Sequence, residues 1–139
     1  MTSKKTKTLA DVNLGDKLTE LSLPITVTLI NGGAIATRDY FPGHHDKAAA
    51  QALGSPHIFM NILTTNGLVQ KFVEDWAGPL AQFQNQKIKL GAPNYPGDTM
   101  VFNGEVTEKD TSTGSVVVSF NGKNSMGNHV TGSVTVVLS

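Results

Sequence analysis

The strongest pattern in the chain is a run of apolar residues with helical spacing near its middle. Between residues 56 and 76 they recur in steps of three and four and cover more than a narrow stripe, which predicts a long and heavily buried helix. Ser55 fits the N-cap, the proline after it fits the first helical position, and residues 78–79 (Gly-Pro) would end the helix. A shorter helix is predicted over residues 48–53, with Asp46 able to cap it.

Strand patterns lie on both sides of the long helix. Residues 25–30 alternate as a half-buried strand does, and residues 31–33 (Asn-Gly-Gly) stop the pattern. After the helix, turn residues separate four more strand segments, at 82–90, 100–106, 115–120 and 129–138. The whole pattern predicts an α+β fold, in which a curved antiparallel meander wraps around one buried helix. A single sheet of this kind leaves an edge uncovered, which favours pairing with a second subunit.

Composition matters here mainly through what it excludes. The 139 residues suffice for one domain with a real core, and 11 Lys+Arg balance 11 Asp+Glu, so neither a nucleic-acid-binding stripe nor an acidic tail is indicated. The absence of cysteine excludes disulfides, thiolate metal sites and a cysteine nucleophile. No apolar run follows the charges near the N-terminus, and no segment approaches the ~18 apolar residues of a membrane span. We therefore expect a soluble, cytoplasmic protein.

Candidate chemistry is concentrated in residues 39–44, Asp-Tyr-Phe-Pro-Gly-His. Pro42 and Gly43 impose a tight bend between Asp39 and His44, and such a bend can point both side chains at one spot. A carboxylate and an imidazole together can position a water, activate it and return a proton. Asp39 and His44 are therefore the candidate catalytic pair. Which one is base and which is acid stays open, because the pair can titrate as one unit.

The same residues also allow other interpretations. An acid and a proline close to a histidine also form ordinary turns. His45 beside His44 could suggest a metal site, but adjacent side chains diverge and no third ligand has suitable spacing, so no metal is predicted. His45 is instead expected to be a structural residue, as are His57 and His129.

The order of these elements and motifs resembles the MaoC-like enoyl-CoA hydratases, which have the hot-dog fold. The loop of that family commonly reads Gly-Asp-x-Asn-Pro-x-His. Residues 38–44 read Arg-Asp-Tyr-Phe-Pro-Gly-His, so the acid, proline and histidine match, while the glycine and asparagine do not. Residues 93–99, Pro-Asn-Tyr-Pro-Gly-Asp-Thr, resemble the family's turn into its third strand. The resemblance implies one hot-dog domain over residues 22–139, preceded by a partly flexible N-terminal extension over residues 1–21.

Further segments resemble one branch of this family, the small catalytic subunit of the actinobacterial steroid side-chain enoyl-CoA hydratase. They are residues 58–64 (Ile-Phe-Met-Asn-Ile-Leu-Thr), 75–79 (Asp-Trp-Ala-Gly-Pro) and 127–131 (Gly-Asn-His-Val-Thr). The resemblance implies a hydro-lyase that hydrates a steroid side-chain enoyl-CoA in cholesterol catabolism. It implies no cofactor, since coenzyme A is part of the substrate. It also implies a second MaoC-like subunit in a dimer of heterodimers, with a homodimer as the alternative.

The resemblance also suggests where the thioester oxygen would be held. In the family a His-Gly pair at the start of the long helix supplies one oxyanion donor, and the positions that align with it are Asn61 and Ile62. The Ile62 N–H and the Asn61 side chain are therefore the candidate donors. Two other functions stay open. A hot-dog thioesterase would need a carboxylate on the central helix, where Glu74 and Asp75 lie at the far end; a non-catalytic acyl-CoA-binding subunit is the third possibility.

Overall fold

A computed structural model describes residues 4–139 and shows one five-stranded antiparallel sheet with three α-helices. In chain order the elements are β1 (Leu21–Pro24), α1 (Val27–Ala36), α2 (Lys47–Ala52), α3 (Ile62–Ala77), β2 (Gln82–Leu90), β3 (Thr99–Asp110), β4 (Ser115–Asn124) and β5 (Gly127–Val137). The chain also contains two short 3-10 turns, Leu9–Asp11 and Pro42–His44. The predicted α+β class is confirmed. Within residues 4–139, no helix is both long enough and apolar enough to cross a membrane.

The core lies between α3 and the sheet. Phe72 of α3 stacks on Phe102 of β3 with ring centroids 5.2 Å apart, and both rings are essentially inaccessible to solvent. Val69 and Val73 extend the same helix face into one cluster with the inward-facing valines of β4 and β5. Burying this face stabilises the helix more than its intrinsic propensity does. The apolar pattern that predicted a heavily buried helix is therefore explained by its contacts with the sheet.

The predicted start of the long helix is wrong by six residues. Ser55 does not cap it, and α3 begins at Ile62 because Asn61 is the N-cap, its side-chain oxygen accepting the Thr64 N–H at 3.0 Å. Residues 56–61 are instead a mostly buried non-helical segment whose backbone bonds neighbouring loops; the Met60 N–H, for example, donates to Asn94 O. The apolar residues of this segment continue the helical spacing of α3, and this explains the wrong predicted start. The predicted end is confirmed, since α3 stops at Gly78 with φ = 100°.

The predicted strand over residues 25–30 is also wrong. The strand β1 ends at Pro24, and Thr26 caps α1 by accepting the Leu29 N–H. The helix then continues through Gly32 and Gly33, which had been predicted to stop the pattern. Gly33 lies where α1 meets α3, and a Cβ there would come within 2.1 Å of the Thr64 side chain. Close helix packing thus outweighs both the β-branched residues and the glycines in setting the local structure.

The later strands lie where the pattern predicts, but their order in the sheet differs from a simple meander. β3, β4 and β5 follow one another as predicted. β2, whose bounds match the prediction, pairs with β5 at the edge, and β1 pairs with β3 at the opposite edge. The sheet order is therefore β1-β3-β4-β5-β2. Alternation identifies strands but carries no information on which neighbour a strand selects, and this explains the error.

The segment before β1 packs closely on the domain. Val12 is fully buried and Leu18 is 5% exposed, and the Leu18 N–H donates to Gly104 O of β3. Nearer the N-terminus, the Lys7 N–H donates to Ala77 O and the Leu9 N–H to Ser139 O. This segment therefore ties the end of α3 to the end of the sheet. A domain boundary at residue 21 stays a prediction.

Candidate active site

Asp39 is positioned by the way in which α1 ends. Thr37 is the C-cap, the Arg38 N–H donates to Ile35 O, and the Asp39 N–H donates to Ala34 O at 2.8 Å. These two bonds form a Schellman motif, which requires a left-handed residue after the cap. Arg38 fills that position with φ = 57°. The motif reverses the chain sharply, so Asp39 is fixed at the C-terminal end of a helix that the sequence pattern had not predicted.

His44 is held by a 3-10 turn that begins at Pro42. Its Nδ1 lies 2.6 Å from Phe59 O, and its ring meets the rings of Phe41 and Phe59 edge-on. Gly43 permits this packing, because a Cβ there would come within 2.9 Å of both aromatic rings. The imidazole side chain is therefore well fixed and only 8% exposed.

The predicted pair comes together in the structure. His44 Nε2 lies 3.3 Å from Asp39 Oδ2, and the Asp39 side chain is 29% exposed. Since Phe59 O can only accept a hydrogen bond, Nδ1 must carry a proton. A neutral His44 then has a lone pair on Nε2, so the carboxylate and the imidazole are two acceptors that face one small region. A water bound beside both atoms can donate one hydrogen to each.

The carboxylate of Asp39 has a protein donor on each oxygen. Oδ1 accepts the Phe41 N–H at 3.2 Å, and Oδ2 accepts the Asn61 side-chain N–H at 3.1 Å. The Asn61 bond, followed by the Phe41 N–H, lowers the pKa of Asp39, and His44 and His45 act in the same direction when they are protonated. Asp39 is thus an ionised, well-oriented group that still faces solvent.

Asn61 and Ile62, the predicted oxyanion residues, have different surroundings. The Asn61 side chain is 2% exposed, and its amide group donates to Thr37 Oγ1 at 2.9 Å as well as to Asp39. Both of its N–H groups are therefore already used within the protein. The Ile62 N–H is in the first turn of α3, and the hydrogen bonds of the described chain give it no acceptor. Ile62 N–H thus remains a candidate donor.

Other histidines serve the framework. His45 Nε2 lies 2.7 Å from the Asp39 carbonyl oxygen and helps to hold the loop. His129, buried in β5, bonds Ala92 O and Thr65 Oγ1, and burial lowers its pKa. His57 accepts the N–H of the next residue. In the part of the chain that the structure describes, no three His, Asp or Glu side chains are grouped as metal ligands would be.

Sequence reasoning missed the residues that orient the pair. Thr37, Phe59 and Thr64 contact Asp39, His44 or Asn61 directly, yet the sequence assigned no role to any of them, although Phe59 and Thr64 lie in the family-like segment 58–64. Asn61 before a helical pattern is an N-cap signal that could have been recognised. Around the pair, the apolar side chains of Tyr40, Phe41, Ile62 and Leu63 are exposed. The candidate site therefore has an apolar rim that this chain alone leaves uncovered.

Comparison with known proteins supports the same interpretation. Residues 12–126 match the family model described as "MaoC like domain". The chain is 46% identical over 121 residues to the "3-oxo-4,17-pregnadiene-20-carboxyl-CoA hydratase beta subunit" of Mycobacterium tuberculosis, covering 87% of this chain and 92% of that protein.

Solved structures agree on the fold. A chain of the ChsH1-ChsH2 complex from Mycobacterium tuberculosis superposes with a TM-score of 0.89 at 44% identity, covering 92% of this chain and 99% of that one. The (R)-hydratase from A. caviae involved in PHA biosynthesis gives 0.84 at 20% identity, covering 92% and 98%. The second likeness shows the fold alone. The predicted hot-dog fold is therefore confirmed.

Proposed function

Because this chain belongs to the MaoC-like domain family, we propose that it hydrates the α,β double bond of an enoyl-CoA thioester with Asp39 and His44 as its catalytic residues. The predicted enzyme class, a hydro-lyase, is confirmed by the family match and the hydratase relative. The observation that carries the catalytic assignment is the 3.3 Å approach of His44 Nε2 to Asp39 Oδ2. Every other polar atom of the two side chains is bonded to the protein, so a water is the natural shared partner.

In the proposed reaction, one water molecule donates one of its hydrogens to the Asp39 carboxylate and its other hydrogen to His44 Nε2. Its oxygen lone pair then points away from the pair, toward the β-carbon of the substrate. The new C–O bond forms as one water proton passes to the pair, and the pair delivers a proton to the α-carbon. The product is a 3-hydroxyacyl thioester. A single water bound on one side of the double bond favours syn addition.

Negative charge grows on the thioester oxygen during this step, and donors there lower the barrier. We assign that role to the Ile62 N–H. It belongs to the first turn of α3, where the helix dipole also favours negative charge. Replacing the family's glycine with Ile62 changes the side chain but leaves the N–H. Water and the two side chains supply the chemistry, so no cofactor is needed beyond the coenzyme A of the substrate.

For the substrate we propose a steroid side-chain enoyl-CoA. The 46% identical relative is named as a hydratase of a pregnadiene-carboxyl-CoA. The exposed apolar rim, including Ile62 and Leu63 at 49% exposure each, suits a bulky apolar acyl group. Sterol catabolism with coenzyme A thioesters is intracellular chemistry, and we accordingly propose a cytoplasmic location.

For the partner we propose a second MaoC-like subunit in a heteromer. The relative is called a beta subunit, and the similar crystal structure is of a two-protein complex. The uncovered apolar rim is consistent with a partner that completes the acyl pocket. β2 lies at the free edge of the sheet, and an exposed edge strand is a ready pairing surface.

The test is hydration of steroidal, long-chain and short-chain enoyl-CoAs by the chain co-purified with its partner, followed as loss of enoyl-thioester absorbance. We expect Asp39→Asn and His44→Ala each to lower kcat/KM at least about a hundredfold. Asp110→Asn, at the exposed last residue of β3 and far from the pair in sequence, is the matched control and should leave the rate unchanged. Unchanged turnover in both site variants would refute the assignment.

Two readouts separate the other functions. Release of free thiol from a saturated acyl-CoA would favour a thioesterase. Tight acyl-CoA binding without hydration, with or without a partner, would favour a binding subunit.

A further inference from the structure

The orientation of the Asn61 side-chain amide follows from its neighbours. The Thr64 backbone N–H can only donate, and it lies 3.0 Å from Asn61 Oδ1. The amide oxygen must therefore face the interior of α3. The amide nitrogen then faces the other way, toward Thr37 Oγ1 at 2.9 Å and Asp39 Oδ2 at 3.1 Å. No alternative placement of the oxygen and nitrogen satisfies these partners.

Asn61 thereby joins two helix termini at the candidate site. Its oxygen caps the start of α3, and its nitrogen holds the end of α1 through Thr37 and Asp39. The Thr37 hydroxyl, in turn, donates to Gly33 O at 2.8 Å, which leaves its oxygen lone pairs free to accept from Asn61. The side chain is 2% exposed, so water does not replace these bonds easily.

We propose that Asn61 is the positioning residue of the catalytic pair and is not an oxyanion donor. This inference rests on the proposed function of Asp39 and His44. Because Asn61 binds the same carboxylate oxygen that approaches His44 Nε2, it determines how far Oδ2 lies from the imidazole. It also occupies one lone pair of Oδ2, so a water must approach the carboxylate from the remaining direction.

Three further observations support this role. The pKa of Asp39 is lowered, and the Asn61 bond is the largest cause. In the described chain no other side-chain amide reaches the carboxylate, and Phe41 stands where the family's loop commonly has asparagine. Among residues 4–139, no lysine or arginine forms a salt bridge with this carboxylate, and its neighbouring titratable groups are His44 and His45.

The experiment compares Asn61→Ser, Asn61→Asp and Asn103→Ser in the full chain. Serine and aspartate retain an acceptor that can cap α3, but neither presents the amide donor to Asp39. Asn103→Ser is the matched control, since it makes the same change at an exposed position of β3, outside the hydrogen bonds of the candidate site. The Asp39 carboxyl is titrated by carbon NMR and assigned by comparison with Asp39→Asn. This readout does not depend on turnover.

We expect the Asp39 pKa to rise in Asn61→Ser and to rise further in Asn61→Asp, where a second carboxylate faces it. Asn103→Ser should titrate like the wild type. With the partner present, kcat/KM of Asn61→Ser should fall roughly tenfold to a hundredfold with KM little changed, because a misplaced group loses rate more than affinity. The acidic limb of its pH profile should move to higher pH.

An unchanged Asp39 titration in both folded Asn61 variants would overturn the proposal, as would an equal shift in Asn103→Ser. If the wild type fails to hydrate any enoyl-CoA, the proposed function is refuted. The Asp39 titrations would in that case still decide whether Asn61 controls the carboxylate, so the two failures can be told apart.

Discussion

Gly33→Ala is the substitution for which the structure makes the least intuitive prediction. Alanine is a better helix former than glycine by about 1 kcal/mol, so propensity alone predicts a more stable α1. Gly33, however, faces α3. A Cβ built there lies 2.1 Å from Thr64 Oγ1, 2.8 Å from Cγ2 and 3.0 Å from Cβ. Rotating the threonine does not relieve the contact, because its Cβ stays 3.0 Å away and its hydroxyl would lose Asn61 Oδ1. The helices themselves must therefore separate.

The separation can be sized from these distances. Ordinary contact begins near 3.4 Å, so the closest approach must widen by more than 1 Å. Overpacking of this kind typically costs about 1–3 kcal/mol, which exceeds the gain in propensity. Thr64 neighbours the Asn61 cap, and Gly33 accepts the Thr37 hydroxyl. The movement therefore also disturbs the hydrogen bonds that hold Asp39, and a displacement of about 1 Å can cost a hundredfold in rate.

The same helix offers the control. A Cβ on Gly32 meets nothing within 4 Å, so Gly32→Ala should stabilise the protein by up to about 1 kcal/mol with normal hydration. Gly33→Ala should lower both the stability in urea and kcat/KM. Adding Thr64→Ala should recover part of both, and a double-mutant cycle would measure this coupling. A Gly33→Ala protein as stable and active as Gly32→Ala would refute the reasoning.

Two other predictions concern Arg38 and Asp39, which follow the end of α1. Arg38→Gly should raise the free energy of unfolding by about 0.5–1 kcal/mol, because the left-handed conformation at φ = 57° is costly for a residue with a Cβ. The extra freedom of glycine in the unfolded chain offsets part of this gain. Decreased stability in urea would contradict the prediction. Since the Asn61 bond and the Phe41 N–H lower the folded-state pKa of Asp39 below its ordinary value of 3.8, the ionised carboxylate contributes stability above about pH 4 that is lost as the pH falls through the folded-state pKa. Acid titration of stability should show a steeper loss in the wild type than in Asp39→Asn, and equal slopes would count against it.

The candidate pair could be selected from the sequence because its chemistry is visible in residue type. Asp39, His44 and the Pro42-Gly43 bend are recognisable without coordinates, and β2 could be bounded from its alternation alone. The supports of the site could not be predicted in this way. The helix α1 contains β-branched residues and two glycines, and its stabilising contacts, the burial of Ile30 and Ala34 and the close approach of Gly33 to Thr64, exist only in the folded protein. The direction of the Asn61 amide likewise depends on partners up to 24 residues away.

The groups that orient the catalytic pair share one property of sequence. Gly33, Thr37, Phe59, Asn61 and Thr64 lie with the candidate pair inside residues 33–64, although four of the five strands of the supporting sheet lie further along the chain. The candidate site is thus encoded by one contiguous segment. Such a segment can be exchanged between related proteins as one piece. Substitutions in β3 to β5 can therefore alter global stability while the hydrogen bonds around the candidate pair stay unchanged.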